Sequence, residues 1–356
     1  MIRVRPVLLA SLTFALAPAS AHADPIKVDV EADWHHAQTK FVFAPQVSRF
    51  ERIAMKDYGN AELDVTAAYS DGATQTEATV YLFHAGLADA SVWHDRILAF
   101  IERGELGTLD TSQTRTSTFT PPSGQPSAGI RSVGPLSGTS AKSTGIAIYP
   151  FADWLLAVRM TSHSLDPDAL DVRLSTFVEE LSAPRAPIGA PKAYPILACT
   201  KPLPNKAAKF YKPTMMDALL GATINLTNKD ETYDSGALPP KDADWCRDPS
   251  STSEYGVYRS KGTRSSYIVA VGDSGTTASV GRETLSGAIS GSLSPSFQMT
   301  VRTVDHAYAF PRFTRLPAVS QVVAQIYKGQ PISSATRGSP DTTITLPSGL
   351  SDEEAS

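Results

Sequence analysis

Alternation of apolar and polar residues is clearest at 62–70, where Leu63, Val65, Ala67 and Tyr69 fall on one face of an extended chain. Asp71-Gly72 follows, a strong hairpin signal, and then 76–84 runs through residues that favour strands. The pattern predicts a β-hairpin, with an earlier strand at 40–44. From Asp89 the period changes. Asp89 suits a helix N-cap, Trp93, Ile97, Phe100 and Ile101 share a stripe, and Gly104 suits a stop near Arg103. Residues 105–142 are rich in Ser, Thr, Gly and Pro and read as a long mobile loop. Strands are expected at 145–150 and 152–161. Asp166-Pro167 then opens the clearest amphipathic helix, with Leu170, Leu174, Phe177, Val178 and Leu181 on one side. That stripe is expected to lie on the sheet.

Residues 183–196 carry Pro184, Pro187, Pro191 and Pro195 and read as a stiff linker between two domains, 24–182 and 197–329. The second domain predicts a short helix at 214–220 and strands at 254–260, 265–272, 276–281, 296–303 and 306–311. A last helix carries Val319, Val322, Val323 and Ile326 and stops at Gly329. Residues 330–356 are polar, end in Asp352-Glu353-Glu354, and read as a disordered tail. The expected fold class is α+β in two domains, each an antiparallel sheet with packed helices. Both halves end strand, strand, helix; a duplication would explain this, but no residue alignment supports it.

The first residues change the picture. Arg3 and Arg5 precede an apolar run from Val7 to Ala17, Pro18 breaks it, and Ala21-His22-Ala23 offers a cleavage site. Residues 1–23 therefore read as a secretory signal peptide, with the mature chain starting at about Asp24. The apolar run is shorter than the about 20 residues that cross a bilayer, and no membrane span is expected. The leader holds two basic residues and no acid, so 30 basic and 36 acidic residues remain, a net −6 with His neutral. A mildly acidic chain speaks against nucleic acid as a partner. Export also bears on the two cysteines. In an oxidising compartment Cys199 and Cys246 are expected to pair, closing a loop that the chain-entropy model makes worth about 4 kcal/mol.

The order of hairpin, helix, two strands and an amphipathic helix closing on Phe177 resembles the PsbP/Mog1-like α/β sandwich over roughly residues 40–182. The resemblance implies an exported partner-binding or assembly protein, mostly without enzyme activity. It carries no functional residue across, because no diagnostic motif accompanies it.

Candidate chemistry is sparse. Gly272-Asp273-Ser274-Gly275 is similar to the nucleophile motif of trypsin-like proteases, yet Thr276-Thr277 stands where that family has further oxyanion-hole residues. The upstream Ala67-Ala68-Tyr69-Ser70 lacks the family's histidine, and a serine without a base is barely nucleophilic. Turn chemistry between strands accounts for the tetrapeptide. His35 and His36 point to opposite faces of a strand, which suits no shared metal. His84 ends a strand and His94-Asp95 lies on the next helix, raw material for a general base if they meet. His163 and His306 stand alone at strand ends. Met215-Met216 with Leu219-Leu220 reads as a short core helix or an apolar binding patch, and Asn225-Leu226-Thr227 as a chance glycosylation match. Gly-rich phosphate loops are absent and no cofactor or metal site is expected. Two functional readings remain: a periplasmic or secreted, non-catalytic module binding an envelope protein or small ligand, or a hydrolase assembled around His84, His94 and Asp95.

Overall fold

In the computed structural model, β1 (Phe50–Asp57), β2 (Asp64–Asp71) and β3 (Thr76–Phe83) form an antiparallel meander. The structure describes residues 23–59, 61–102, 107–122, 124–151, 153–181, 191–226, 244–273, 275–283, 296–339 and 341–346. The β2–β3 hairpin turns through four residues rather than two, since Asp71 pairs with Thr76. The turn is held by Asp71, whose carboxylate accepts from the Ala73 amide at 3.0 Å and the Thr74 hydroxyl at 2.8 Å.

Helix α1 (Ala90–Ile101) carries the chain from β3 across to β4 (Gly129–Ser137). From there β5 (Ser143–Phe151) and β6 (Trp154–Ser162) return, and β6 pairs with β3 in the middle of the sheet. The order is β1-β2-β3-β6-β5-β4, within a sheet of ten described strands that also holds short edge pieces. Helix α2 (Pro167–Glu180) follows, capped by Asp166 accepting from the Ala169 amide. Alternation along β5 decides what each helix covers. Ala147 and Tyr149 face α2, whereas Ile146 and Ile148 face α1.

The second sheet runs β7 (Trp245–Arg247), β8 (Tyr255–Ser260), β9 (Tyr267–Val271), β10 (Thr276–Glu283), β11 (Ser296–Arg302), β12 (His306–Ala309) and β13 (Ser333–Thr336) in that order. Leu197–Ala198 adds a parallel edge beside β7, where Cys199 and Cys246 are bonded with Cα atoms 4.9 Å apart. Helix α3 (Met215–Leu226) sets Ala218 against Ala309 and Ile332 and leaves Met216 and Leu219 about half exposed. Helix α4 (Val319–Lys328) buries Val319, Val322 and Ile326 on the outer face of the second sheet. The layers are thus α2, first sheet, α1, second sheet, α4.

This corrects the expected α+β class of two helix-packed sheets. Among the described residues strand makes up 40% and helix 16%, so large antiparallel sheets dominate. Two segments account for much of the difference. Within 105–142, Arg115–Phe119 and β4 are strands, paired Gly129 to Phe119 and Val133 to Arg115. Beyond 330, where composition suggests a disordered tail, β13 pairs with β12 and Ile344–Thr345 adds a further edge. The presumed leader up to residue 22, most of the Pro-rich stretch (182–190) and the last residues of the chain lie outside the described residues. Among the described residues no helix is long and apolar enough to cross a membrane.

Phe177 anchors the outer core, its ring edge-on to Phe50 at 5.1 Å and to Tyr69 at 5.5 Å. Replacing this fully buried ring by alanine should lower unfolding free energy by about 3–5 kcal/mol in a urea titration. Val172→Ala, on the exposed side of the same helix, should change it by less than about 0.5 kcal/mol.

Candidate functional site: the seam between the sheets

Helix α1 is buried on both sides, and that forces its polar residues to find partners. Trp93 fills the first-sheet side with Phe83, Ile130, Ile146 and Leu155, while Trp245, Tyr258, Ile268 and Ala270 close over the helix from the second sheet. One oxygen of Asp89 caps α1 by accepting from the Val92 amide at 3.0 Å; the other accepts from the Trp245 indole N–H at 2.7 Å. Burial pushes the Asp89 carboxyl above its usual range.

Two turns along, Asp95 faces the second sheet. It accepts from the Tyr258 hydroxyl at 2.7 Å and from Arg247 at 3.0 Å. Arg96 is 1% exposed and donates to the carbonyls of Gly272, Thr252 and Ser253 at 3.2–3.4 Å. Gly256 makes this possible: a Cβ there would lie 2.4 Å from the Tyr258 hydroxyl and 2.6 Å from Cδ of Arg96.

The sequence candidates are therefore distributed rather than assembled. His94 is 3% exposed and its Nε2 lies 2.9 Å from the Ser132 hydroxyl, which is 2.5 Å from that of Thr116. Burial lowers the His94 pKa to about 3, so the ring is neutral. Its sequence neighbour Asp95 is turned to the other sheet and does not orient it. His84 sits at the rim, with Nδ1 2.8 Å from the Val304 carbonyl, Nε2 3.4 Å from Asp153, and its ring 5.0 Å from Trp154. That hydrogen bond is the main reason the Asp153 carboxyl is held below its ordinary pKa.

Other singled-out residues have local partners. His36 is buried against Trp154 and the Glu62 carbonyl, while His35 is exposed. His163 lies beside Ser140 at the surface. His306 is 3.1 Å from Asp305, which raises its pKa above the usual value. The turn around Gly272 and Asp273 works as a docking corner: the Gly86 amide donates to Gly275 at 2.7 Å, and Gly272 receives Arg96. Ser274 lies outside the described residues. Among the described residues no group of three or more His, Cys, Asp or Glu could hold a metal ion.

Sequence reasoning does not reveal Arg96, Trp245 or Arg337. Arg337 stands beyond the last expected element, yet it donates to the carbonyls of Thr303 and, at 3.0 Å, of Ala85. Burial lowers its pKa to about 10. An arginine on the stripe of a mostly apolar helix is the one signal available for Arg96. No family model, curated protein or solved structure matches the chain.

Trp245→Phe keeps the apolar filling and strands one oxygen of Asp89, so it should cost about 1–3 kcal/mol in denaturant unfolding. A pH titration gives a separate check at the rim. Burial, then the charges of Asp273 and Asp57, raise the Asp64 pKa to about 7. The native state thus holds a proton that the unfolded chain releases near pH 4. Stability contributed by protonated Asp64 should fall as pH rises from about 4 to about 7. Asp64→Asn should flatten that part of the stability curve.

Proposed function

We propose that this chain is an exported, non-catalytic binding module, periplasmic or secreted, that engages an envelope protein or a small ligand. The observation that carries this reading is the state of the Ser–His contact on α1. Ser132 and His94 touch, but both are buried, and a ring whose pKa is about 3 is a poor general base near neutrality. Asp95, the carboxylate that would orient such a base, instead serves Tyr258 and Arg247. The polar groups of α1 that would be needed for hydrolysis are committed to joining the sheets.

The leader pattern at 1–23, the bonded Cys199–Cys246 pair and the absence among described residues of a membrane-crossing helix are compatible with export. The PsbP/Mog1-like resemblance of residues 40–182 points the same way, since exported members of that group bind partners.

Hydrolysis of chromogenic ester, glycoside and peptide panels by the purified 24–356 chain tests this reading. Rates at the buffer blank, for wild type and His94→Phe alike, are expected. A turnover that His94→Phe or His84→Asn abolishes, with the melting temperature unchanged, would overturn it.

A further inference from the structure

The face of the first sheet away from the seam holds a second feature. Between α2 and the strand Arg115–Phe119 lies a cavity of about 160 Å3, lined among others by Phe119, Arg131, Ala147, Leu174, Ser175 and Val178. Its floor is apolar: Ala147, Leu174 and Val178 are buried members of the outer core. Its wall depends on Gly129. A Cβ on that residue would sit 2.5 Å from the Phe119 ring, so only glycine lets the ring lie flat over the strand. The ring is then 6.0 Å from that of Tyr149, whose fully buried hydroxyl has no hydrogen-bond partner among the described residues.

Arg131 gives the cavity its chemical character. It is held in place by donating from Nε to Asp171 at 2.8 Å and by stacking over Phe119 at 5.8 Å. Among the described residues its terminal nitrogens have no partner. Ser175 stands one turn along α2 from Asp171, and its hydroxyl likewise makes no hydrogen bond among them. Asp171 takes Nε alone, and the cavity's other acid, Glu179, is exposed and forms no ion pair with Arg131 among the described residues. A second ion pair, Arg115 with Asp168, joins the covering strand to α2.

We propose that this cavity binds a small monocarboxylate with an apolar body, its carboxylate on the outer nitrogens of Arg131 and the hydroxyl of Ser175. Charge-assisted donors match a carboxylate. A dry apolar cavity of about 150 Å3 holds a benzene ring, so the body is a ring or a chain of about six carbons. The assignment rests on the binding-module reading and names its ligand class.

Calorimetric or NMR titration of the purified 24–356 chain with phenylacetate and hexanoate tests it, with benzyl alcohol as the uncharged control. Saturable binding of an acid is expected, weaker by about tenfold or more for benzyl alcohol and for Arg131→Met. Ser175→Ala, which leaves every core contact in place, should weaken the acid several-fold without shifting the melting temperature. No saturable binding of either acid at millimolar concentration, or equal affinity for acid and alcohol, would overturn the assignment. So would unchanged affinity in Ser175→Ala together with folded Arg131→Met. Such a failure leaves the binding-module reading intact, whereas turnover in the hydrolase panel removes that reading without touching this cavity.

Discussion

Helix α1 lies between the two sheets for most of its length, and Asp89 and Arg96 on it are buried. It is enclosed by Ile130, Ile146 and Leu155 of one sheet and by Trp245, Tyr258 and Ile268 of the other. Burying a charged or polar group is tolerable only when its hydrogen bonds are replaced. Beyond the Val92 amide that Asp89 caps, Asp89, Asp95 and Arg96 find partners in the second sheet and its turns: an indole N–H, a phenol with an arginine, and three carbonyls. The same requirement sets the spacing of the sheets, the place of the turn at Gly272, and the need for glycine at 256. It also turns Asp95 to Tyr258 and Arg247, away from the Ser132 side on which His94 lies.

The inner and outer faces of the first sheet consequently have different characters. The seam face is an apolar filling around Trp93 crossed by the buried hydrogen bonds of Asp89, Asp95 and Arg96. The outer face is an apolar core under α2, in which Phe177, Phe50 and Tyr69 interlock, with a small cavity beside Arg131. The proposed ligand contacts, Arg131 and Ser175, lie on this outer face, where a side-chain change leaves the seam untouched.

Much of the local structure is legible in sequence because it is written in periodicity. The β2–β3 hairpin, α1, α2, the strands from β8 to β12 and α4 all show the alternation or the helical stripe that burial on one face demands. The strands within 105–142 do not. Arg115–Phe119 is exposed along nearly its whole length, so no apolar alternation marks it, and backbone pairing to β4 is what makes it a strand. β13 is short and rich in serine, and it too exists by pairing. The class expectation failed through these segments. The seam was illegible for another reason: Asp89 reads correctly as a cap, but nothing near it in sequence announces Trp245, 156 residues away. For His94 and Asp95, adjacency in sequence places them on one helix, whereas the 100° step between neighbours turns them toward different sheets.

The bonds across the seam also bear on the order in which the chain can fold. His84 reaches Val304 across 220 residues, Ala85 receives Arg337 across 252, and Gln38 donates to Gly338 across 300. During synthesis the first sheet emerges long before these partners exist. Its outer core can close early, but the bonds of α1 to Trp245, Tyr258, Arg247 and Gly272 must wait. Closing loops of that length carries an entropic cost that is repaid only late, which slows the final step. A chain that finishes its structure only when its last strands arrive remains threadable for as long as it is still being made.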